Sequence, residues 1–89
     1  MSGWAVRLTT SAVRGLDRLP PRIVPAVIEL IYGPLAQDPW RTGKPLRGEL
    51  TGLFSARRGE YRVLYEILED SKSVIVHRIA HRREVYRRR

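Results

Sequence analysis

Five side chains of this 89-residue chain could act together on a phosphodiester: Arg57, Arg62, His81, Arg82 and Tyr86. A guanidinium stays charged at any working pH, and its planar fork matches the oxygens of a phosphate. An unperturbed imidazole titrates near pH 6.5 and can move a proton. A tyrosine can stack on a base, donate a hydrogen bond, or do both. Cations over a phosphorus centre, with a proton-transfer group beside them, are what phosphoryl chemistry requires. The competing reading is a solvated basic tail, with arginines that snorkel outward one by one or pair with Glu60 or Glu66.

The elements that would have to position these residues can be read from alternation and turn chemistry. "LFSAR" leads into a turn at Gly59-Glu60, and "YRVLYEIL" then alternates as a strand. After the polar turn "EDSK" comes the β-branched run "SVIVHRIA". A tight hairpin centred on Gly59-Glu60 sets Arg58 opposite Tyr61 and Arg57 opposite Arg62. A second hairpin centred near Ser71 sets Arg62 opposite about residue 80, next to His81 and Arg82. Arg57, Arg62 and Arg82 are therefore expected at one end of three neighbouring strands. A slip of one residue would exchange His81 for Arg82 on the relevant face. Like charges across a ladder are unfavourable unless an anion joins them. If the C-terminal run forms a helical turn, Arg82 and Tyr86 share a face. Val85 and Tyr86 docking the tail onto the sheet is the alternative.

Upstream, residues 4 to 9 read as a strand. "TTSAVRGLDRLPP" places Ala12, Val13, Leu16 and Leu19 at helical spacing and is stopped by two prolines. "RIVPAVIELIYGPLAQDP" places Ile23, Val27, Leu30 and Ile31 on one stripe. Gly33-Pro34 is expected to kink or end this second helix. Residues 38 to 52 read as an ordered loop with a short extended piece. The expected fold is α+β with β-α-α-β-β-β order, two N-terminal helices covering one face of a mainly antiparallel sheet.

Length allows one domain over residues 1–89 with a single small core. The chain has no cysteine, which fits a reducing compartment. Its longest apolar stretch is interrupted by Glu29 and two prolines and is too short to span a bilayer. The start lacks the apolar segment of an export signal, so the expectation is a cytoplasmic protein that does not meet a membrane. The formal charge of +8, with a pI near 11.0, points to polyanions or an acidic protein as partners. Arginines concentrate at 57, 58 and 62 and again from 78 onward, whereas the acids are dispersed. Lys44, Arg47 and Arg58 are candidates for holding RNA, as are Arg87 and Arg88 in the electrostatic tail. His77, within an alternating strand, reads as a sheet residue. Trp4 and Trp40 read as packing residues. Two histidines without cysteine do not assemble a usual zinc site, and no metal or other cofactor is expected.

The segments "KPLRG", "GLFSARRGEYRVLYEI" and "IAHRREVYR" together resemble the RelE/ParE toxin superfamily, its RelE branch more than its ParE branch. The resemblance extends over nearly the whole chain. It implies a RelE-like fold and the toxin of a type II toxin–antitoxin pair: a metal-independent mRNA interferase that cuts messenger RNA in the ribosomal A site. The implied reaction is attack of a ribose 2′-hydroxyl on the adjacent phosphate. Arg62 and Arg57 match basic positions that such toxins use on the phosphate. Arg82 and Tyr86 match the C-terminal arginine and tyrosine near the scissile bond, and His81 falls where some relatives carry lysine or histidine. Two departures stand out. Some members place lysines where this chain has Leu53 and Ser55, and others carry a glutamate base near the position of Lys44. His81 is then the best titratable candidate, with Glu49 a possible base from the loop. The resemblance also implies a RelB-like antitoxin, the ribosome and messenger RNA as partners, and operator DNA bound only through the antitoxin complex. Two other readings remain: a ParE-like toxin that inhibits DNA gyrase without nuclease activity, and a basic RNA-binding module without catalysis.

Overall fold

The computed structural model describes residues 3–86. A first strand, β1 (Ala5–Leu8), is followed by helix α1 (Thr10–Arg18) and helix α2 (Val24–Leu30). A short helix α3 (Pro39–Thr42) and a two-residue strand β2 (Lys44–Pro45) precede three long strands, β3 (Leu53–Arg58), β4 (Tyr61–Leu68) and β5 (Ser73–His81). The sheet order is β1-β5-β4-β3-β2. β1 runs parallel to β5, and the other pairs are antiparallel.

Local chemistry explains the helix boundaries. Thr9 caps α1, its hydroxyl accepting the N–H of Ala12 at 3.1 Å, so one orphan donor of the first turn is satisfied. The same hydroxyl donates to the carbonyl of His77 at 3.0 Å and ties the cap to β5. α1 closes at Leu19, before Pro20 and Pro21. Gly15 faces the carbonyl oxygen of Ile79 so closely that a Cβ would overlap it, which lets α1 lie directly on β5. Of the kink or end expected at Gly33-Pro34, the end does not occur there. The helix continues through Ile31–Leu35 as a π-helical turn. Widening to the π spacing accommodates a proline that has no N–H to give the ladder. The segment read as a loop after residue 38 also holds more order than expected. Asp38 caps α3 by accepting from Arg41 N–H, and a 3-10 turn spans Gly48–Leu50.

The core lies between the helices and one face of the sheet. Val27, Leu30, Ile31 and Leu35 meet Ala56, Val63, Tyr65, Val74, Val76 and Ile79 there. Phe54 stacks on Tyr65 and meets Trp40 edge-on, both at 5.6 Å between centroids. Trp4 packs against the same cluster, so both tryptophans pack as the sequence suggests, although Trp40 keeps one side exposed. Tyr65 is fully buried and donates its hydroxyl to the carbonyl of Pro39 at 2.7 Å. Burial pushes its pKa from 10.0 up to about 12. Among the described residues no helix lies on the opposite sheet face, which carries Arg57 and Arg62. Among the described residues, no helix is long and apolar enough to cross a membrane.

Candidate active site

Successive residues of a strand point to opposite faces, and directly paired residues share a face. The register therefore assigns every strand residue to one side. The β3–β4 hairpin pairs Arg58 with Tyr61 and Arg57 with Arg62, as the turn arithmetic expects. Gly59 supplies φ 61° at the first turn position, which suits a II′ hairpin. Since Ala56, Val63 and Tyr65 face the core, Ser55, Arg57, Arg62 and Leu64 face the helix-free side. Lys44 pairs with Ser55 and joins them.

The β4–β5 hairpin contains the decisive irregularity. Leu68 pairs with Ser73 and Tyr65 with Val76, but Leu64 pairs with Arg78. His77 is the extra residue of a β-bulge. It shifts the ladder by one, so Arg62 stands opposite Ala80 and Tyr61 opposite His81. Without the bulge, Arg62 would face Ile79. His77 itself contacts Glu66 through Nε2 at 2.9 Å from Oε1, a sheet role in keeping with its reading from the sequence.

The five candidates thus come to one end of the sheet but not to one surface. Arg57 and Arg62 sit side by side on the helix-free face. Arg62 turns back, and its Nη1 donates to the carbonyls of Gly59 at 3.2 Å and Tyr61 at 3.3 Å. Tyr86 reaches that same face and donates its hydroxyl to Ser55 Oγ at 3.1 Å. The segment that brings it there is a hydrogen-bonded turn, with Glu84 and Val85 N–H both donating to the carbonyl of His81. Val85 and Leu64 are both buried yet stand outside the main cluster. The tail is therefore docked, and docking is compatible with tyrosine presentation: Tyr86 remains 44% exposed.

Arg82 follows β5 at the sheet end. Its N–H donates to the carbonyl of Glu60 and its Nε to Glu60 Oε1, both at 2.7 Å. His81 belongs to the other face, where its ring meets Tyr61 edge-on at 5.4 Å. Its Nδ1 accepts the N–H of Arg83 at 3.1 Å. The neutral ring consequently carries its proton on Nε2 and presents a donor. Tyr61 and His81 also line a groove of about 480 Å³ between α1 and β5, with Arg14 and Arg18 on its helix side.

Of the proposed RNA-holding residues, Lys44 shares the face of Arg57, whereas Arg58 pairs with Tyr61 on the other face. Arg47 is exposed before the 3-10 turn. Arg87 and Arg88 lie outside the described residues. The sequence reading missed Ser55 as the anchor of Tyr86, although its place two residues before Arg57 on one strand was a usable signal. Among the described residues, no group of three or more histidines and acids is placed to hold a metal ion.

Comparison with known proteins agrees with this architecture. A family model described as the ParE toxin of type II toxin–antitoxin systems matches residues 6–86. Toxin RelG of Mycobacterium tuberculosis is 53% identical over 85 residues, covering 96% of this chain and 98% of the relative. Toxin RelE of the same organism is 49% identical over 82 residues, covering 92% of this chain and 84% of the relative. Among solved structures, the RelBE2 toxin–antitoxin complex of M. tuberculosis superposes with a TM-score of 0.86 at 52% identity, covering 91% of this chain and 93% of that one. The E. coli RelBE complex shares the fold, with a TM-score of 0.75 at 14% identity over 88% of this chain and 95% of that one. With the family model spanning β1 to Tyr86 and two curated toxins near half identity, the chain belongs to the RelE/ParE superfamily of type II toxin–antitoxin toxins.

Proposed function

We propose that this toxin is a metal-independent, ribosome-dependent endoribonuclease, a single-domain protein of the cytoplasm that cuts messenger RNA in the A site. The observation that carries the reading is the direct pairing of Arg57 with Arg62 on the helix-free face, with Tyr86 held beside them through Ser55. Two guanidiniums at directly opposed positions, with Cβ atoms about 5 Å apart, repel each other until an anion bridges them. A phosphorane formed by 2′-hydroxyl attack carries more negative charge than the starting diester. Fixed cations therefore favour the transition state over the ground state. Arg82 adds a third cation from the strand end, and Tyr86 stacks the neighbouring base or donates a hydrogen bond to it.

Proton transfer is part of the same proposal. His81 stands on the Tyr61 face at the sheet end, and in its imidazolium form it is assigned the protonation of a 5′-oxygen that departs around that end. Lys44 and Tyr86 are among the titratable groups on the arginine face, with Glu66 farther along β4, and these two are the candidates for taking the 2′-proton. Lys44, Arg47, Arg58, Arg87 and Arg88 then serve as contacts to the messenger or to ribosomal RNA. In cells the toxin is held by a RelB-like antitoxin. The structures of RelBE complexes among its relatives support that partner, and operator DNA is bound through the complex.

The test is primer extension on translating ribosomes with wild type, Arg62→Ala and Arg82→Ala. Codon-positioned cuts are expected with wild type, and removal of either arginine should slow them by roughly a hundredfold or more. A second reading follows from the ParE description of the family model: inhibition of DNA gyrase by binding. Intact messenger RNA with blocked supercoiling would establish that reading and end the nuclease one.

A further inference from the structure

The β3–β4 turn holds two of the three guanidiniums of the site. Its carbonyls take Arg62, through Gly59 and Tyr61, and its carboxylate takes Arg82, through Glu60. The Glu60–Arg82 contact is a 2.7 Å ion pair between side chains that are each more than half exposed. Such a pair adds little to folding. The backbone bond from Arg82 N–H to the Glu60 carbonyl already fixes the strand end. The carboxylate is thus dispensable for the fold, yet it occupies the guanidinium edge that a phosphate would use.

We infer that Glu60 is an internal stand-in for RNA phosphate: it holds Arg82 in the free toxin and is exchanged for a phosphodiester when RNA binds. The inference rests on the nuclease reading only in taking single-stranded RNA as the ligand. A carboxylate and a phosphate offer a guanidinium the same pair of acceptor oxygens, so one can replace the other without rearranging the turn. The exchange leaves Glu60 beside bound phosphate without its cation, and this raises the threshold for weak, non-specific RNA. Glu60 is therefore a positioning residue that acts through Arg82 and sets selectivity for a strand that also engages Arg57 and Arg62.

The experiment measures binding of a fluorescein-labelled oligouridine to wild type, Glu60→Gln and Glu69→Gln, each alone and combined with Arg82→Gln. Glu69 lies in the β4–β5 turn, at the other end of β4, so its substitution matches the change in net charge. Glu60→Gln should tighten binding roughly threefold beyond Glu69→Gln, as expected for release of an exposed ion pair. It should also steepen the dependence on salt, because no carboxylate is left to recapture a cation. In the Arg82→Gln background the difference between the two variants should vanish. Equal effects of the two variants, a Glu60 effect that persists without Arg82, or weaker binding by Glu60→Gln would each overturn the inference, as would a wild type that binds no RNA. Absence of codon-positioned cleavage while the Glu60–Arg82 coupling is observed would sink the nuclease reading and leave this one standing.

Discussion

At the scale of single residues, the site is decided by the partner each polar group takes within the chain. Arg62 rests on carbonyls of its own turn, Arg82 on Glu60, and Tyr86 on Ser55. Ser55→Ala should remove the anchor of Tyr86 while leaving the fold intact, and should lower the cleavage rate less than Tyr86→Ala does when the two are compared on ribosomes. The buried Tyr65 makes a different prediction. Its folded-state pKa is raised to about 12 from 10.0 because burial disfavours the phenolate. The folded protein therefore holds that proton more tightly than the unfolded chain. Its contribution is fully present below about pH 10 and is lost as pH rises toward about 12. Urea unfolding at about pH 8 and about pH 11 should show this loss in wild type, and it should be reduced in Tyr65→Phe. That variant also gives up the bond to the Pro39 carbonyl, at a cost of about 1 kcal/mol near neutral pH.

At the scale of elements, the molecule depends on two close approaches and one bulge. Gly15 lets α1 rest on the Ile79 carbonyl, so Gly15→Ala must push the helix off β5. A loss of about 3 kcal/mol is expected in chemical denaturation, at the upper end of overpacking costs. The C-terminal turn is docked by Val85, which is 1% exposed. Val85→Ala should cost about 2 kcal/mol and should impair cleavage more than the remaining folded fraction explains, because Tyr86 loses its support. Sequence periodicity located β3, β4 and β5 and the Arg57–Arg62 pairing, since a two-residue glycine turn leaves little freedom of register. It could not locate the bulge at His77. A bulge depends on how the side chains of two strands pack, and the run "SVIVHRIA" looks equally regular with or without it. Likewise the π-turn at Pro34 is held by burial of Ile31 and Leu35, a tertiary gain that overrides the local preference for a break.

At the scale of the whole molecule, charge and topology act together. The formal charge of +8 favours a polyanion as partner, and under the proposed function the helix-free face is where it binds. If Arg57, Arg62 and Arg82 each neutralise one phosphate, the logarithm of RNA affinity should fall against the logarithm of salt concentration with a slope of roughly −2. Filter binding across a salt series measures it, and a slope near zero would remove the three-arginine contact. The sequence by itself determined the order of the elements, the face-to-face arginine pair and membership of a known toxin superfamily. All of these follow from short-range patterns: alternation, turn chemistry and contiguous motifs. Only the tertiary structure decided that His81 faces Tyr61 rather than Arg62, that Arg82 rests on Glu60, and that Tyr86 folds back to Ser55. Those choices depend on a one-residue bulge and on the docking of the C-terminal turn. In a strand the face of a side chain reverses with every residue, so a single added residue reassigns everything beyond it.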